Sequence, residues 1–176
     1  MSPLVVGIDL SLKATGVAWW DTAPPVDPVP LLLLETIQSG KTDGLRRLQS
    51  IRSQVSARVR AAELVVLEGL YPQAKANAYT NERAGLWYLI ADRLDQLGVR
   101  YAVVQPTAVK QYATGKGNAS KTAVVAAVVR RYDASPADDD QADALVLAAM
   151  GLHHLGCPPA PVPAAHERAL KAVTWP

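Results

Sequence analysis

Two acids sit where apolar sequence should exclude them. Asp9 interrupts the run Leu4-Val5-Val6-Gly7-Ile8-Asp9-Leu10, and Glu68 closes the run Leu64-Val65-Val66-Leu67-Glu68. A buried, unpaired carboxylate is expensive to desolvate, so each calls for a partner, a raised pKa or a metal. Taken singly, either is explained as well by a strand-end acid that reaches solvent or caps a turn; two of them, in separate strands, favour function. A third feature is the stretch Asp138-Asp139-Asp140-Gln141-Ala142-Asp143 at the start of a helical pattern. Capping and the helix dipole, worth ~0.3–1 kcal/mol per charge, account well for Asp138 and Asp139. They account less well for Asp143, which shares a helix face with Asp140 three residues back. That face continues through Val146, Leu147 and Met150, which should pack inward. Two carboxylates at the buried end of a helix coexist only if a cation compensates them; a pairing through Asp139 is the neighbouring register. Asp9, Glu68, Asp140 and Asp143 offer oxygen alone, which suits Mg²⁺ with Mn²⁺ as a substitute. Two such ions ~3.5–4 Å apart can activate water and stabilise the leaving oxygen of a phosphodiester. The chemistry these residues point to is metal-assisted hydrolysis of nucleic acid.

The elements that must position them follow from hydrophobic periodicity. Residues 4–10, 16–20, 31–37, 64–68 and 101–104 read as strands, the first three as an antiparallel meander with a Pro-rich loop from Thr22 to Pro30. Residues 44–60 repeat apolar side chains every three or four positions, with five arginines between them, and form an amphipathic helix with a basic outer face. A second helical stripe runs through Leu86, Leu89, Ile90, Leu94 and Leu97 and stops at Gly98. Helices follow from Pro106 to Tyr112, from about Ser120 to Arg131 and from about Asp140 to His154, the last a core helix. The fold class is α/β: an RNase H-like fold with a mixed five-stranded sheet, βββαβα(α)α, and helices on both faces. Residues 1–155 are read as the nuclease domain and 156–176 as a Pro-rich linker and a tail, loosely helical or disordered.

Composition removes other classes. With 176 residues, 49% of them apolar, the chain suits one globular domain. Its longest aliphatic run, Leu31 to Leu34, is far short of the roughly 20 residues that span a bilayer, so no membrane partner is expected. The first residues lack the basic and apolar segments of a secretory signal, so a cytoplasmic location is expected. Rich alanine and the absence of phenylalanine suit a GC-rich bacterium or a cell infected by its phage. A single cysteine excludes an internal disulfide, and with three histidines there are too few ligands for a Cys/His zinc site. The formal net charge of +2 conceals alternation: residues 41–60 carry +5 and 69–131 carry +6, while 132–143 carry −5. With four of the 16 acids assigned to metal, 18 bases face 12 acids, the pattern of a polyanion-binding surface around an acidic centre. A solvated helix face accounts equally for either basic stretch taken alone.

Four motifs stand in order: Gly7-Ile8-Asp9-x-Ser11…Thr15-Gly16; Val66-Leu67-Glu68-x-x-Tyr71; Pro106-x-x-Val109-Lys110…Thr114-Gly115-x-Gly117-x-Ala119-x-Lys121; and Asp140-x-x-Asp143-Ala144-Leu145. The set resembles the RuvC family of Holliday-junction resolvases over about residues 4–152. The resemblance implies a homodimeric, Mg²⁺-dependent endonuclease that cuts branched DNA and leaves 5′-phosphate and 3′-hydroxyl ends. It implies that Asp9, Glu68, Asp140 and Asp143 are the metal-binding catalytic residues, and it puts Lys110 and Lys121 at basic positions near the scissile phosphate. Lys121 is also counted as catalytic, since a cation in the first turn of a helix opposes the macrodipole; a solvated lysine is an equal reading. Tyr71 matches an aromatic that stacks on or wedges between bases, at ~1–3 kcal/mol per stacked base. Lys75, in the polar run after Tyr71, and Lys116, in the loop Gly115-Lys116-Gly117-Asn118, are counted as further DNA contacts. Trp87 and Tyr88 suit core or dimer packing. After Asp9, Leu10-Ser11-Leu12 replaces the Pro-Gly of the best-known bacterial members, which marks a divergent, phage-type member and widens the expected substrates from four-way junctions to flaps and forks.

Three other readings use the same residues. An RNase H-like nuclease acting on RNA would need the same carboxylates and differ only in substrate. A non-catalytic branched-DNA-binding module would keep a vestigial site. An actin-like ATPase would use Gly7 to Gly16 as a phosphate loop, but it needs two such domains and 176 residues are too few.

Overall fold

The computed structural model describes residues 4–21, 31–70 and 77–176. Strand β1 (Val5–Asp9) lies at the centre of a five-stranded sheet of order β3-β2-β1-β4-β5. It pairs antiparallel with β2 (Ala14–Asp21), which pairs antiparallel with β3 (Leu31–Gln38). On its other side β1 pairs parallel with β4 (Leu64–Glu68), and β4 with β5 (Tyr101–Val104). Strands β1 and β4 are buried along their whole length, which is why they read as unbroken apolar runs and not as alternating ones.

Helices cover both faces. Helices α1 (Gly44–Val59) and α2 (Ala78–Leu97) close one face, where Leu48, Ile51, Leu86, Ile90 and Leu94 pack on Val6, Ile8, Val65 and Leu67. Helix α5 (Asp139–His154) crosses the other, flanked by α3 (Pro106–Thr114) and α4 (Lys121–Tyr132). Asn77 caps α2 reciprocally with Thr80, and Gly98 ends it at φ +65°, a left-handed conformation that glycine adopts freely. Trp20 is buried with the α5 core while Trp19 packs on the α1/α2 core, as neighbours in a strand must. No helix among the described residues is long and apolar enough to cross a membrane.

Three details differ from the sequence reading. The element order is βββαβαβααα before the tail; β5 stands between α2 and α3, where the strand at 101–104 is expected but which the string βββαβα(α)α omits. The basic face of α1 is partly neutralised, because Arg47 pairs with Glu82 of α2 and Arg58 with Glu35 of β3. The tail is neither loose nor disordered: after the turn at Gly156 it forms α6 (Ala164–Glu167) and a 3-10 helix (Arg168–Ala172) docked on α3. Ala169 and Val173 are buried in the α5-side core, and Trp175 stacks on His154 at 4.3 Å. Five prolines in the last 20 residues suggest a linker, but apolar residues at Ala169, Val173 and Trp175 give the segment enough to bury.

Candidate active site

Strand alternation places the two strand acids. Val6 and Ile8 of β1 and Val65 and Leu67 of β4 face the α1/α2 core, while Val5, Leu64 and Val66 face α5. Asp9 and Glu68 keep the second parity, so both project on the α5 side. The parallel register pairs Ile8 with Leu67, so the two acids end adjacent strands at the same edge. Helix α5 brings the other two. Gly7 and Gly16 make this possible: a Cβ on Gly7 would stand 2.0 Å from the Ala144 carbonyl oxygen, and one on Gly16 would stand 2.1 Å from that of Asp140. Gly16 is the β2 partner of Asp9, so the contact that seats the first turn of α5 lies beside the first carboxylate.

The Asp run divides as follows. Asp138 is the N-cap, accepting from the Gln141 amide at 2.8 Å and from the Thr36 hydroxyl at 3.4 Å. Asp139 pairs with Lys121 of α4. Asp140 and Asp143, and not Asp139, line the cleft with Asp9 and Glu68.

Burial and mutual repulsion set the electrostatics. Asp9 is 6% and Glu68 9% exposed. Burial, then the charges of Glu68, Asp143 and Asp140, push Asp9 well above the ordinary carboxylate range. Burial also raises Glu68, opposed by its hydrogen bond with Asp9 and by Arg83 and Lys121. Asp140 is raised chiefly by burial, and Asp143 rises to about 7 through burial and the charge of Glu68. The Asp139 carboxylate holds Lys121 above its usual value, and Lys121 holds Asp139 below its own.

Among the described residues no three His, Cys, Asp or Glu side chains form a ready-made metal cage. The donor set still fits a hard divalent cation. It is oxygen only, Asp9 and Glu68 are almost sealed from water, and the burial and mutual repulsion that raise Asp9 and Asp143 are what a cation relieves.

The carboxylates line an open cleft of about 720 Å³ whose rim is basic and polar: Lys110, Lys121, Arg83, Tyr79, Thr107 and Asn118 all border it. Lys110 and Lys121 are therefore brought to the site. Lys116 is not; it lines a separate cleft beside α4. Tyr71 and Lys75 lie outside the described residues. Ser11 and Thr15 tie the β1–β2 turn together, the Thr15 hydroxyl donating to the Ser11 carbonyl at 2.7 Å and accepting from the Ser11 amide at 3.1 Å. They are turn residues, with the Thr15 hydroxyl engaged by the turn itself.

The residue that sequence reasoning missed is Arg83. Its guanidinium lies 3.5 Å from a Glu68 carboxylate oxygen and donates to the Leu10 carbonyl at 3.3 Å, so it joins the ends of β4 and β1. One turn later the Trp87 indole N–H donates to the Glu68 carbonyl at 2.9 Å. The spacing of Tyr79, Arg83 and Trp87, four residues apart, marks one face of α2 and was the available signal.

A central strand antiparallel to one neighbour and parallel to the other, a helix laid across the sheet, and carboxylates from β1, β4 and that helix gathered at one sheet end define an RNase H-like domain with an acidic cleft. Solved structures agree on the fold: Thermus thermophilus RuvC, at 22% identity, covers 91% of this chain and 99% of its own with a TM-score of 0.66. The same organism's RuvC in complex with Holliday junction substrate gives 0.68 at 20% identity, covering 92% of this chain and 99% of that one. Fowlpox virus Holliday junction resolvase gives 0.56 at 15% identity, covering 86% and 99%. In sequence, the crossover junction endodeoxyribonuclease RuvC of Gloeobacter violaceus is 34% identical over 165 residues, 89% of this chain and 91% of that protein. The chain belongs to the RuvC family. No family profile matches it.

Proposed function

We propose that the chain is a Mg²⁺-dependent, structure-selective DNA endonuclease, with Mn²⁺ able to substitute, that resolves Holliday junctions and cuts other branched DNA such as flaps and forks. It leaves 5′-phosphate and 3′-hydroxyl ends, acts as a homodimer and works in the cytoplasm of a bacterial or phage-infected cell. The observation that carries this reading is the meeting of Asp9, Glu68, Asp140 and Asp143 in one open cleft with a basic rim. The relative's name, crossover junction endodeoxyribonuclease, and the neighbour solved with Holliday junction substrate support the choice of substrate.

The division of labour follows from position. Asp9, Glu68, Asp140 and Asp143 would hold the cation, which supplies positive charge to the phosphodiester as negative charge builds on it. Arg83 and Trp87 fix the end of β4 so that Glu68 presents its carboxylate to the cleft. Lys110 and Lys121, on either side of the α3–α4 loop, hold the phosphate backbone against the carboxylates. Tyr71, three residues beyond Glu68, is assigned to base stacking at the branch point and Lys75 to the backbone beside it. A homodimer sets two such sites on symmetric strands of a junction, and Tyr88 (64% exposed) and Leu45 (63% exposed) supply apolar surface on the α1/α2 side for it.

The test is a substrate panel in Mg²⁺: a labelled four-way junction, a flap, a fork, linear duplex and an RNA–DNA hybrid. Cutting of the branched DNAs, with duplex and hybrid spared, is the expected result. Inertness on all three branched DNAs contradicts the reading. Cutting of the hybrid alone replaces it with an RNA-directed nuclease.

A further inference from the structure

The α3–α4 loop has a second side. Its residues Gly117 and Asn118 face the carboxylate cleft, while Lys116 and Ala119 face a separate cleft of about 560 Å³ between α4 and the docked tail. The cations of that second cleft are Lys116 and the consecutive pair Arg130 and Arg131, and no acid lines it. Two arginines in the last turn of α4 are favourable with the helix dipole in any case. The dipole explains neither the missing acids nor the shape, because the wall of α4 that faces the tail is alanine, Ala123 and Ala127, and leaves room for a ligand.

The cleft is also built. His166 of α6 contacts Arg131 and the Tyr112 carbonyl through Nδ1, 2.8 Å in each case, and the Arg131 guanidinium donates to the same carbonyl at 3.0 Å. Gln111 of α3 donates to the Ala165 carbonyl at 2.9 Å. The His166 ring lies so close to Gly115 that a Cβ there would stand 3.0 Å from Nε2. The tail is thus bolted to the loop and to Arg131, and Arg130 stands beside them, exposed and outside every ion pair among the described residues.

We infer that this cleft seats the sugar–phosphate backbone of the DNA strand that leaves the carboxylate site and crosses the α3–α4 loop, and that the docked tail exists to wall it. The inference rests on the nuclease reading above. Its ligand is the phosphate backbone alone, so it adds affinity without sequence or branch preference.

The experiment compares wild type, Arg130→Gln and Lys171→Gln for binding to a four-way junction and to linear duplex over a series of salt concentrations in Ca²⁺. Lys171 lies on the same tail, outside the cleft, and its substitution makes the same change in net charge. Circular dichroism confirms that each variant is folded. One lost phosphate contact lowers the log–log salt slope by ~0.9 and weakens binding about eightfold at ~0.1 M salt. Arg130→Gln is expected to show both changes, equally on junction and duplex, with Lys171→Gln matching wild type. Equal behaviour of the two variants, or an Arg130→Gln defect confined to junctions, overturns the inference and leaves the nuclease reading standing. Wild type that binds no DNA overturns both.

Discussion

Replacing Asp143 with asparagine should make the metal-free protein more stable at neutral and alkaline pH while disabling its response to metal. The side chain keeps its shape and loses its charge. Asp143 is raised from the ordinary 3.8 to about 7, first by burial and then by the charge of Glu68. A carboxylate raised on folding leaves stability intact below its unfolded value, and that stability is lost as pH climbs toward its folded value. The window of loss is therefore about pH 4 to 7. A shift of about three units corresponds to about 4 kcal/mol, and the open cleft halves this to roughly 2 kcal/mol. In a domain of this size that is a gain of ~4–8 °C in melting temperature near pH 8. Near pH 4 wild type and Asp143→Asn should melt together. Asp143 also lifts Asp9, so the substitution relaxes a second group in the same direction. Saturating Mg²⁺, at a hundred times its dissociation constant, should add ~2.7 kcal/mol to wild type and close the gap, while Asp143→Asn gains little. The assay is thermal unfolding at the two pH values with and without Mg²⁺. Asp143→Asn no more stable than wild type near pH 8, or Mg²⁺ stabilising both alike, refutes the reasoning.

Gly16→Ala should push the first turn of α5 away from β2, because a Cβ there meets the Asp140 carbonyl at 2.1 Å; the expected result is a stability loss of roughly 1–3 kcal/mol by urea titration together with weaker Mg²⁺ binding by calorimetry. Arg83→Gln should raise the Mg²⁺ concentration needed for half-maximal cleavage, because Glu68 loses the cation that holds it toward the β1 end; Arg83→Lys should recover part of the loss, and an unchanged Mg²⁺ dependence contradicts the positioning role. Lys110→Gln should lower the salt slope of junction binding by ~0.9, read by fluorescence anisotropy over a salt series, and an unchanged slope removes Lys110 from the DNA face.

Most of what positions the site was legible because it obeys two periods. Alternation along β1 and β4 ends on Asp9 and Glu68, and the helical spacing of Asp140 and Asp143 follows from the apolar face through Leu147. The register within the Asp run stayed open, since three consecutive acids satisfy an N-cap equally. Contacts distant in sequence occupy the first two acids, Thr36 on Asp138 and Lys121 on Asp139, and leave Asp140 and Asp143 to line the cleft. For the same reason the spacing of Tyr79, Arg83 and Trp87 marks a face of α2 but not what Arg83 on that face touches. Its partners are Glu68, 15 residues away, and Leu10, 73 residues away, and nothing in a helix stripe announces an interaction of that span. The tail was misjudged because prolines describe the local chain, whereas docking depends on the surface that α3 and α5 offer to Ala169, Val173 and Trp175.

The central claim is that the clustered carboxylates cut branched DNA, and Glu68→Gln tests it most directly, keeping the shape of the side chain and removing its charge. The measurement is cleavage of a labelled four-way junction in Mg²⁺ by wild type and Glu68→Gln, with junction binding followed in parallel. Wild type should cut, and Glu68→Gln should bind with similar affinity and cut at least ~100-fold more slowly. Cleavage by Glu68→Gln at the wild-type rate, or tight junction binding by wild type without cutting in either Mg²⁺ or Mn²⁺, would contradict it.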